Sequence, residues 1–327
     1  MRVIARLHGY PPRHNAGAEW MVHSMLRALV ARGHEVQVWL SRYSGGGQSY
    51  DLDGVHVVPL QARLDFATAV RTADVLVSHL ENVPSTSALA RGYGKPVVAI
   101  CHNTHRTTFR DAASGGVALA ILNSQWMARE AELFYAEYPK AIRPDRTLIV
   151  RPPVFADEYR TKPGRKVTLV NCNKEKGGQV LETLARRMPD TEFLAVAGAY
   201  GEQILPDLPN VEVLQQVPGS LMRETVYART RVLLMPSVYE SWGRAGVEAL
   251  ASGIPVVAHP TPGLCESLGE AGIFVNRTDV DGYEAVLRKL LQSAEYRLAS
   301  KRAKARSAEL DPTSELAAWC DAVEALA

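Results

Sequence analysis

Short apolar runs alternate with amphipathic stretches along most of this chain. An apolar run at residues 3–7 is followed by apolar positions at helical spacing over 18–31, and by a second apolar run at 35–40. This order predicts a strand, a helix and a strand. Further apolar runs predict strands at 55–60, 75–78, 97–101, 119–122 and 147–150. Strands that alternate with helices are typical of a parallel, doubly wound sheet.

The alternation stops near residue 151 and then starts again. Arg151-Pro152-Pro153 opens a charged, irregular stretch up to Lys166, which we interpret as a linker. Beyond it the pattern predicts strands at 167–171, 192–197, 211–214, 232–235 and 256–258, and helices at 178–188, 221–228, around Glu248 and over the tail from residue 311. The chain is therefore predicted to be an α/β protein with two Rossmann-like, doubly wound domains and a cleft between them, a preferred location for ligands.

One segment of the first half shows no such pattern. Residues 41–54 read SRYSGGGQSYDLDG, and the three glycines predict a flexible surface loop. Within it, Asp51-Leu52-Asp53 is followed by Gly54, so we interpret these residues as a turn and expect no metal there.

Composition narrows the functional classes. The chain has 327 residues, enough for two domains, and its net charge of +2 argues against wholesale nucleic-acid binding. Four cysteines lie at scattered positions without metal-ligand spacing, which favours a reducing compartment. No apolar run approaches the ~18 residues that a membrane-spanning helix needs. We expect a cytoplasmic protein and leave peripheral attachment to a membrane open.

Glu240 and Glu248 carry the most informative chemistry. They are eight positions apart, at the start of a predicted helix that follows a buried strand. A helix that begins at the carboxyl end of a parallel sheet is a suitable place to bind anions and ligands. Both glutamates could instead be solvated, although Glu248 lies among apolar residues, where a carboxylate needs a partner.

The same segment continues into Ala251-Ser252-Gly253-Ile254-Pro255-Val256-Val257. This E-x7-E pattern followed by A-x-G-x-P-V-V resembles the family-4 retaining glycosyltransferases of the GT-B fold. The resemblance implies a catalytic position for Glu240 near the donor sugar and ribose binding by Glu248. It also implies an acceptor-binding domain at 1–156, a nucleotide-sugar-binding domain at 157–311 and a last helix, 312–327, that packs back on the first domain.

The first half carries three further matches to this family. Gly17 lies in a loop similar to the family's G-G-A-E loop, where it would contact the donor diphosphate, although a plain βα turn also suits glycine. His102 follows a strand and matches the family's histidine at the donor sugar, a catalytic position. Ser124 matches a serine at the next strand end and could equally be only a helix N-cap.

The second half supplies the other donor-binding candidates. Lys176-Gly177 matches the family's K-G, whose lysine neutralises the donor diphosphate. Asn171 stands where the family usually has an arginine, and either Lys174 supplies the missing charge or fewer cations hold the diphosphate. The remaining donor-binding candidates are Gly198, Gly243, Gly263 and Leu264.

The resemblance implies a hexosyltransferase-type, metal-independent enzyme. It would move a sugar from a nucleoside diphosphate sugar to an acceptor hydroxyl with retention of configuration, without a cofactor besides this co-substrate. A sugar-nucleotide epimerase and a non-catalytic sugar-nucleotide-binding protein remain alternatives.

The acceptor stays open, because small molecules, glycans, lipids and modified nucleic acids could all be bound by arginines. The first half has five candidates, Arg13, Arg42, Arg63, Arg106 and Arg110.

Overall fold

The computed structural model describes residues 1–43, 47–59, 66–139 and 142–327. The chain divides into two compact units, unit 1 (Met1–Pro153 with Pro312–Ala327) and unit 2 (Val154–Asp311). Three parts of the predictions lie outside the described residues. They are positions 44–46 of the predicted glycine-containing loop, the last residue of the predicted strand 55–60, and the candidate Arg63. Within these ranges, none of the helices has both the length and the apolar character needed to cross a membrane.

The described residues of unit 1 form eight strands and the helices that connect them. They are β1 (Arg2–Gly9), α1 (Gly17–Ala31), β2 (Glu35–Tyr43), β3 (Tyr50–Leu52), β4 (Val55–Val58), α2 (Phe66–Thr72), β5 (Val75–His79), α3 (Val83–Gly92), β6 (Val97–Ile100), α4 (Arg106–Ala112), β7 (Val117–Leu122), α5 (Gln125–Ala136) and β8 (Arg146–Ile149). The strands pair in the order β3-β4-β2-β1-β5-β6-β7-β8.

The chain changes direction in this sheet between β1 and β5. From β1 it builds outward through β2 to β4 and β3, and it then returns to the other side of β1 to add β5 and its successors. Every neighbouring pair is parallel except β3 and β4. The carboxyl ends of β1 and β5 therefore flank a switch point, where α/β sheets commonly bind ligands.

The loop predicted over residues 41–54 is wrong at both ends. Residues 41–43 extend β2, and Tyr50–Leu52 forms the edge strand β3, antiparallel to β4. Asp53 and Gly54 make the turn with φ values of 49° and 81°. An edge strand of three partly exposed residues has too few apolar positions for a strand pattern to be read.

Unit 2 contains six strands. Its elements are α6 (Ala156–Tyr159), β9 (Lys166–Val170), α7 (Gly178–Arg187), β10 (Phe193–Val196), β11 (Val211–Leu214), α8 (Met222–Thr225), β12 (Thr230–Met235), α9 (Arg244–Ala251), β13 (Val256–Ala258), α10 (Pro262–Leu268), β14 (Gly272–Phe274), α11 (Val280–Leu290) and α12 (Ser293–Glu309). The strands pair in parallel in the order β11-β10-β9-β12-β13-β14. The switch point of unit 2 therefore lies between β9 and β12.

One predicted helix of unit 2 is too long. The apolar spacing predicted a helix over 221–228, but α8 ends at Thr225 and a 3₁₀ turn, Tyr227–Arg229, follows. Val226, between them, departs from helical geometry with φ −112° and ψ −62°. Val226 and Tyr227 are nevertheless fully buried, which explains why their spacing resembled a helix face.

The tail forms α13 (Thr313–Glu324), which packs on α1 within unit 1. Trp319 is fully buried there, and its indole Nε1 donates a hydrogen bond to the carbonyl of Met25 over 2.9 Å.

The predicted pair of doubly wound α/β domains is confirmed, because each unit holds a mainly parallel sheet with helices between its strands.

Candidate functional site

A partly buried ion pair lies at the switch point of unit 2. Lys176 is in the loop after β9 and Glu240 in the loop after the neighbouring strand β12, and Nζ of Lys176 donates to Oε1 of Glu240 over 2.6 Å. Ser237 Oγ donates to the same oxygen over 2.9 Å. Burial lowers the pKa of Lys176, but the charge and hydrogen bond of Glu240 outweigh it, so the net pKa is raised. The lysine is therefore a cation at neutral pH, held close to a carboxylate.

The lysine loop is fixed against the β12 loop by a glycine. Gly177 has a φ of 94°, and a Cβ there would lie 2.4 Å from Cγ of Pro236. The backbone N–H of Val238 donates to the carbonyl of Glu175 over 2.9 Å. Helix α7 begins directly after Gly177, so the positive end of its dipole and Lys176 lie in one place, which favours an anion.

Glu248 belongs to a buried network that sequence reasoning missed. Its Oε1 accepts from Nε of Arg244 over 2.7 Å and its Oε2 from the hydroxyl of Tyr227 over 2.6 Å. Arg244 also donates to the hydroxyl of Tyr159 over 2.9 Å. Only 7% of Glu248 is exposed, so the solvated alternative is wrong for this residue.

The pKa values of this network keep its donors protonated. Burial lowers the pKa of Arg244, but Tyr159 and Glu248 raise it by more than burial lowers it. The net pKa therefore lies above its ordinary value. Burial and the charge of Glu248 raise the pKa of Tyr227 well above its ordinary value. A carboxylate offers about four acceptor positions. The two hydrogen bonds to Glu248 therefore leave capacity for hydroxyl groups of a ligand.

The two glutamates lie on either side of the start of α9. Glu240 precedes the first residue of α9, Arg244, by four positions, and Glu248 lies just over one turn into the helix. The carboxylates are consequently held by different elements, one by a loop and one by a helix.

Asn171 and Gly198 lie against each other at the ends of β9 and β10. Asn171 has a φ of 65°, and its Oδ1 accepts from Nε2 of Gln203 over 3.2 Å. Oε1 of Gln203 accepts from the backbone N–H of Gly198 over 2.8 Å. A Cβ at Gly198 would lie 2.1 Å from Cγ of Asn171, so this glycine is required by packing.

Packing also explains the glycines near the start of α9. Gly243 has a φ of 83°, and a Cβ there would lie 2.4 Å from Cδ2 of Leu264. A Cβ at Gly263 would lie 2.3 Å from the carbonyl oxygen of Glu240. The side chain of Leu264 is fully buried, so only its backbone could contact a donor. The start of α10 therefore lies directly against the loop of Glu240.

The first-half candidates occupy strand ends in unit 1. Gly17 is the first residue of α1, is exposed, and a Cβ there would meet no described atom within 4 Å. Nothing in the internal packing among the described residues demands a glycine at this position. Ser124, in contrast, is fully buried and caps α5 by accepting from the N–H of Met127 over 3.0 Å, which favours the N-cap interpretation.

His102 is connected to a second histidine that the pattern analysis did not single out. Its Nε2 lies 3.1 Å from Nδ1 of His79, the last residue of β5. Burial is the largest influence on His102 and lowers its pKa to about 4, so the imidazole is neutral at pH 7.

Near these rings, His8 of β1 contacts Glu19 of α1, with 2.8 Å from Nε2 to Oε1. Burial raises the pKa of Glu19, but the contact with His8 lowers it by more than burial raises it. The net pKa therefore lies below its ordinary value. His8 and His79 each lie at or near a strand end, the signal that had identified His102.

Most candidate acceptor arginines have partners in unit 1. Arg106 pairs with Glu137 over 2.8 Å and Arg110 with Asp111 over 3.1 Å. The guanidinium of Arg13 lies 4.4 Å from the ring centre of Tyr50, and Arg42 is exposed.

The two aspartates of the predicted turn contact different histidines. Asp51 is 3.0 Å from His56 and Asp53 is 3.0 Å from His23.

Two family models match the chain one after the other. A model described as glycosyl transferase 4-like domain matches residues 16–168, and one described as glycosyl transferases group 1 matches residues 178–293. The glycogen synthase of Mycobacterium tuberculosis is 26% identical, with 96% of this chain and 91% of its own covered.

Solved structures have the same fold over nearly the whole chain. Sucrose-phosphate synthase from Thermosynechococcus elongatus superposes with a TM-score of 0.77 at 15% identity, covering 100% of this chain and 99% of its own. HepE from Anabaena, solved with UDP-glucose, superposes with a TM-score of 0.76 at 16% identity, covering 99% and 100%. The chain is therefore a glycosyltransferase with the GT-B fold, and its class of activity is that of a hexosyltransferase.

Proposed function

We propose that this enzyme transfers a hexose from a nucleoside diphosphate sugar to an acceptor hydroxyl with retention of configuration, with no metal on the diphosphate. The observation that carries the proposal is the Lys176–Glu240 pair at the switch point between β9 and β12. A partly buried cation beside the start of α7 suits a diphosphate, and the adjacent carboxylate suits sugar hydroxyls.

Lys176 would stabilise the leaving diphosphate. In the free enzyme its charge is balanced by Glu240, with 2.6 Å between Nζ and Oε1. A bound diphosphate would share that cation and lie at the positive end of the α7 dipole. As the bond from C1 of the sugar to the diphosphate breaks, the negative charge grows on the leaving oxygen, where a positioned cation is most effective.

Glu240, Glu248 and His102 would orient the donor. Ser237 and Lys176 fix the carboxylate of Glu240 for the sugar, and Glu248 keeps acceptor capacity for the ribose hydroxyls. The acceptor oxygen would bond to C1 on the face from which the diphosphate leaves, and its proton would pass to a diphosphate oxygen. Positioning and electrostatics then supply the rate enhancement.

Two observations support a first donor to test and a cellular compartment. HepE was solved with UDP and with UDP-glucose, which supports UDP-glucose as the first donor to test. All four cysteines are free thiols, and three of them are buried, which supports a reducing, cytoplasmic location.

The test is a calorimetric titration with UDP, GDP, ADP and dTDP, followed by transfer assays with the sugars of the nucleotide that binds. We expect one nucleotide to bind tightly, transfer to proceed in EDTA, and proton NMR of the product to show the anomeric configuration of the donor. An inverted product would contradict retention. Conversion of the nucleotide sugar without an acceptor would indicate an epimerase, and binding without turnover would indicate a binding protein.

Gly17 provides a test of the diphosphate loop. Gly17→Leu should change the free energy of unfolding by no more than about 0.5 kcal/mol, because the position is exposed and open. A branched side chain at the start of α1 would nevertheless displace a diphosphate, and a misplaced substrate costs about 10²-fold in rate. Initial transfer rates and urea unfolding measure the two effects.

The matched control is Gly92→Leu. Gly92 ends α3 in the same unit, is exposed and likewise has no described atom within 4 Å of a Cβ. Equal transfer rates for the Gly17 and Gly92 variants would remove Gly17 from the donor site.

A further inference from the structure

Two histidines and a glutamate form a buried cluster at the switch point of unit 1. His8 lies near the end of β1, Glu19 lies in the first turns of α1, and His79 ends the neighbouring strand β5. One ligand atom from each of the three side chains lies within 4.8 Å of the other two. The exposed fractions are 8%, 2% and 0%, so the cluster is almost dry.

Two buried polar atoms of this cluster lack a hydrogen-bond partner in the described part of the chain. Oε2 of Glu19 and Nε2 of His79 are buried and find no hydrogen-bond partner among the residues that the structure describes. The other carboxylate oxygen of Glu19 and the other ring nitrogen of His79 do have partners: Oε1 of Glu19 contacts His8, and Nδ1 of His79 contacts His102. Buried polar atoms without partners are rare and call for an explanation such as an ion.

We propose that His8, Glu19 and His79 bind one divalent transition metal of the zinc type. Two imidazoles and one carboxylate are a ligand set that zinc takes with its fourth position open to water. Imidazole nitrogens favour zinc and its neighbours over magnesium or calcium, which prefer oxygen ligands. The site consists of residues of unit 1 alone and shares none with the Lys176–Glu240 pair.

The geometry requires only a modest closure of the side chains. Bonds of 2.0–2.1 Å to a tetrahedral ion place ligand atoms about 3.3 Å apart. The His8–Glu19 separation of 2.8 Å is already close to that value. The separations of up to 4.8 Å would shorten by about 1.5 Å, which rotation of the side chains can supply.

The ion would also orient a neighbouring ring. With the metal on Nε2 of His79, the proton of that ring stays on Nδ1, which then donates to Nε2 of His102 over 3.1 Å. His102 would thereby be fixed in one tautomer. A role of this orientation in sugar binding rests on the proposed function, whereas the binding of the metal does not.

The experiment uses the full chain with its affinity tag removed, because a histidine tag binds zinc itself. Elemental analysis after gel filtration with zinc should give one zinc per chain, and cobalt added to the metal-free protein should give the visible absorption of a four-coordinate site. His79→Gln and Glu19→Gln should each weaken zinc at least 10- to 100-fold in competition with a chromophoric chelator. His56→Gln is the matched control, since His56 lies on β4 of the same unit, is partly exposed and contacts Asp51.

The opposite results are equally clear. A metal-free wild type without cobalt absorption would overturn the proposal, as would a loss of affinity in the His56 variant equal to that in the His79 variant. The cluster would then be only the His8–Glu19 contact beside His79, without a metal. The cobalt spectrum of the wild type decides the question even if a variant does not fold, and it needs no substrate, so failure of the proposed sugar transfer would not affect it.

Discussion

Replacing Lys176 with methionine is expected to lower kcat/KM for sugar transfer by about 10²- to 10³-fold, the typical cost of losing one group that stabilises charge in the transition state. Methionine keeps the length and apolar stem of the side chain and removes the cation that Glu240 holds at 2.6 Å. The effect should fall mainly on kcat, because the diphosphate gains most of its negative charge as the sugar leaves. Initial rates over a range of donor concentrations separate kcat from KM.

The control is Lys174→Met, two positions earlier in the same loop. Lys174 is exposed, whereas Lys176 is partly buried. We expect the Lys174 variant to keep its kcat/KM within a few-fold, since an exposed charge is strongly screened by water. A larger loss in the Lys174 variant would mean that Lys174 supplies the charge that Asn171 lacks, and it would transfer the proposed role to that residue.

Replacing Trp319 with alanine is expected to lower the free energy of unfolding of unit 1 by about 3–5 kcal/mol, the range for removing a large buried aromatic side chain. Trp319 is fully buried between α13 and α1, and its N–H bonds the carbonyl of Met25. The alanine variant would leave a cavity and lose the hydrogen bond from the indole to the carbonyl of Met25. Urea unfolding followed by circular dichroism measures the loss, with the transition of unit 1 analysed separately because the two units need not unfold together.

Trp126→Ala is the comparison for Trp319. Trp126 lies in the first turn of α5 and is only partly buried, so its removal leaves a smaller cavity. A loss of unit 1 stability at Trp319 no greater than that at Trp126 would show that α13 contributes little to the unit.

The sequence predicted most strands because their residues are buried on both faces. β6 is a continuous apolar run, the run of β5 ends before Ser78, and the run of β1 is interrupted only by Arg6, as expected for strands in a covered parallel sheet. β3 was missed because a short edge strand with exposed positions has no such run. The helix predicted over 221–228 was too long because burial of Val226 and Tyr227 preserves apolar spacing after helical geometry has ended.

The sequence predicted which loops carry the candidate site, but it did not predict the contacts between their side chains. The family pattern assigned Lys176 to the donor diphosphate and Glu240 to a catalytic position near the donor sugar. The pair is separated by 64 positions, and only the sheet order makes the two loops neighbours. Tyr159 and Tyr227 carry no motif, so their contacts with Arg244 and Glu248 could not be derived from spacing. The same applies to Glu19 and His79, which come together only because β1 and β5 are adjacent.

The network around Glu248 has a consequence for how such enzymes can diverge. One carboxylate holds the guanidinium of Arg244 and the hydroxyl of Tyr227, and Arg244 in turn holds Tyr159 at the start of unit 2. Losing the carboxylate would leave a buried charge without its counterion, at a cost of about 3–5 kcal/mol, a large share of the stability of a domain. Mutational drift at Glu248 would thus be removed by selection for folding before donor preference could change. New donor specificity in this lineage has to arise at the neighbouring loops, around a glutamate that the architecture itself keeps in place.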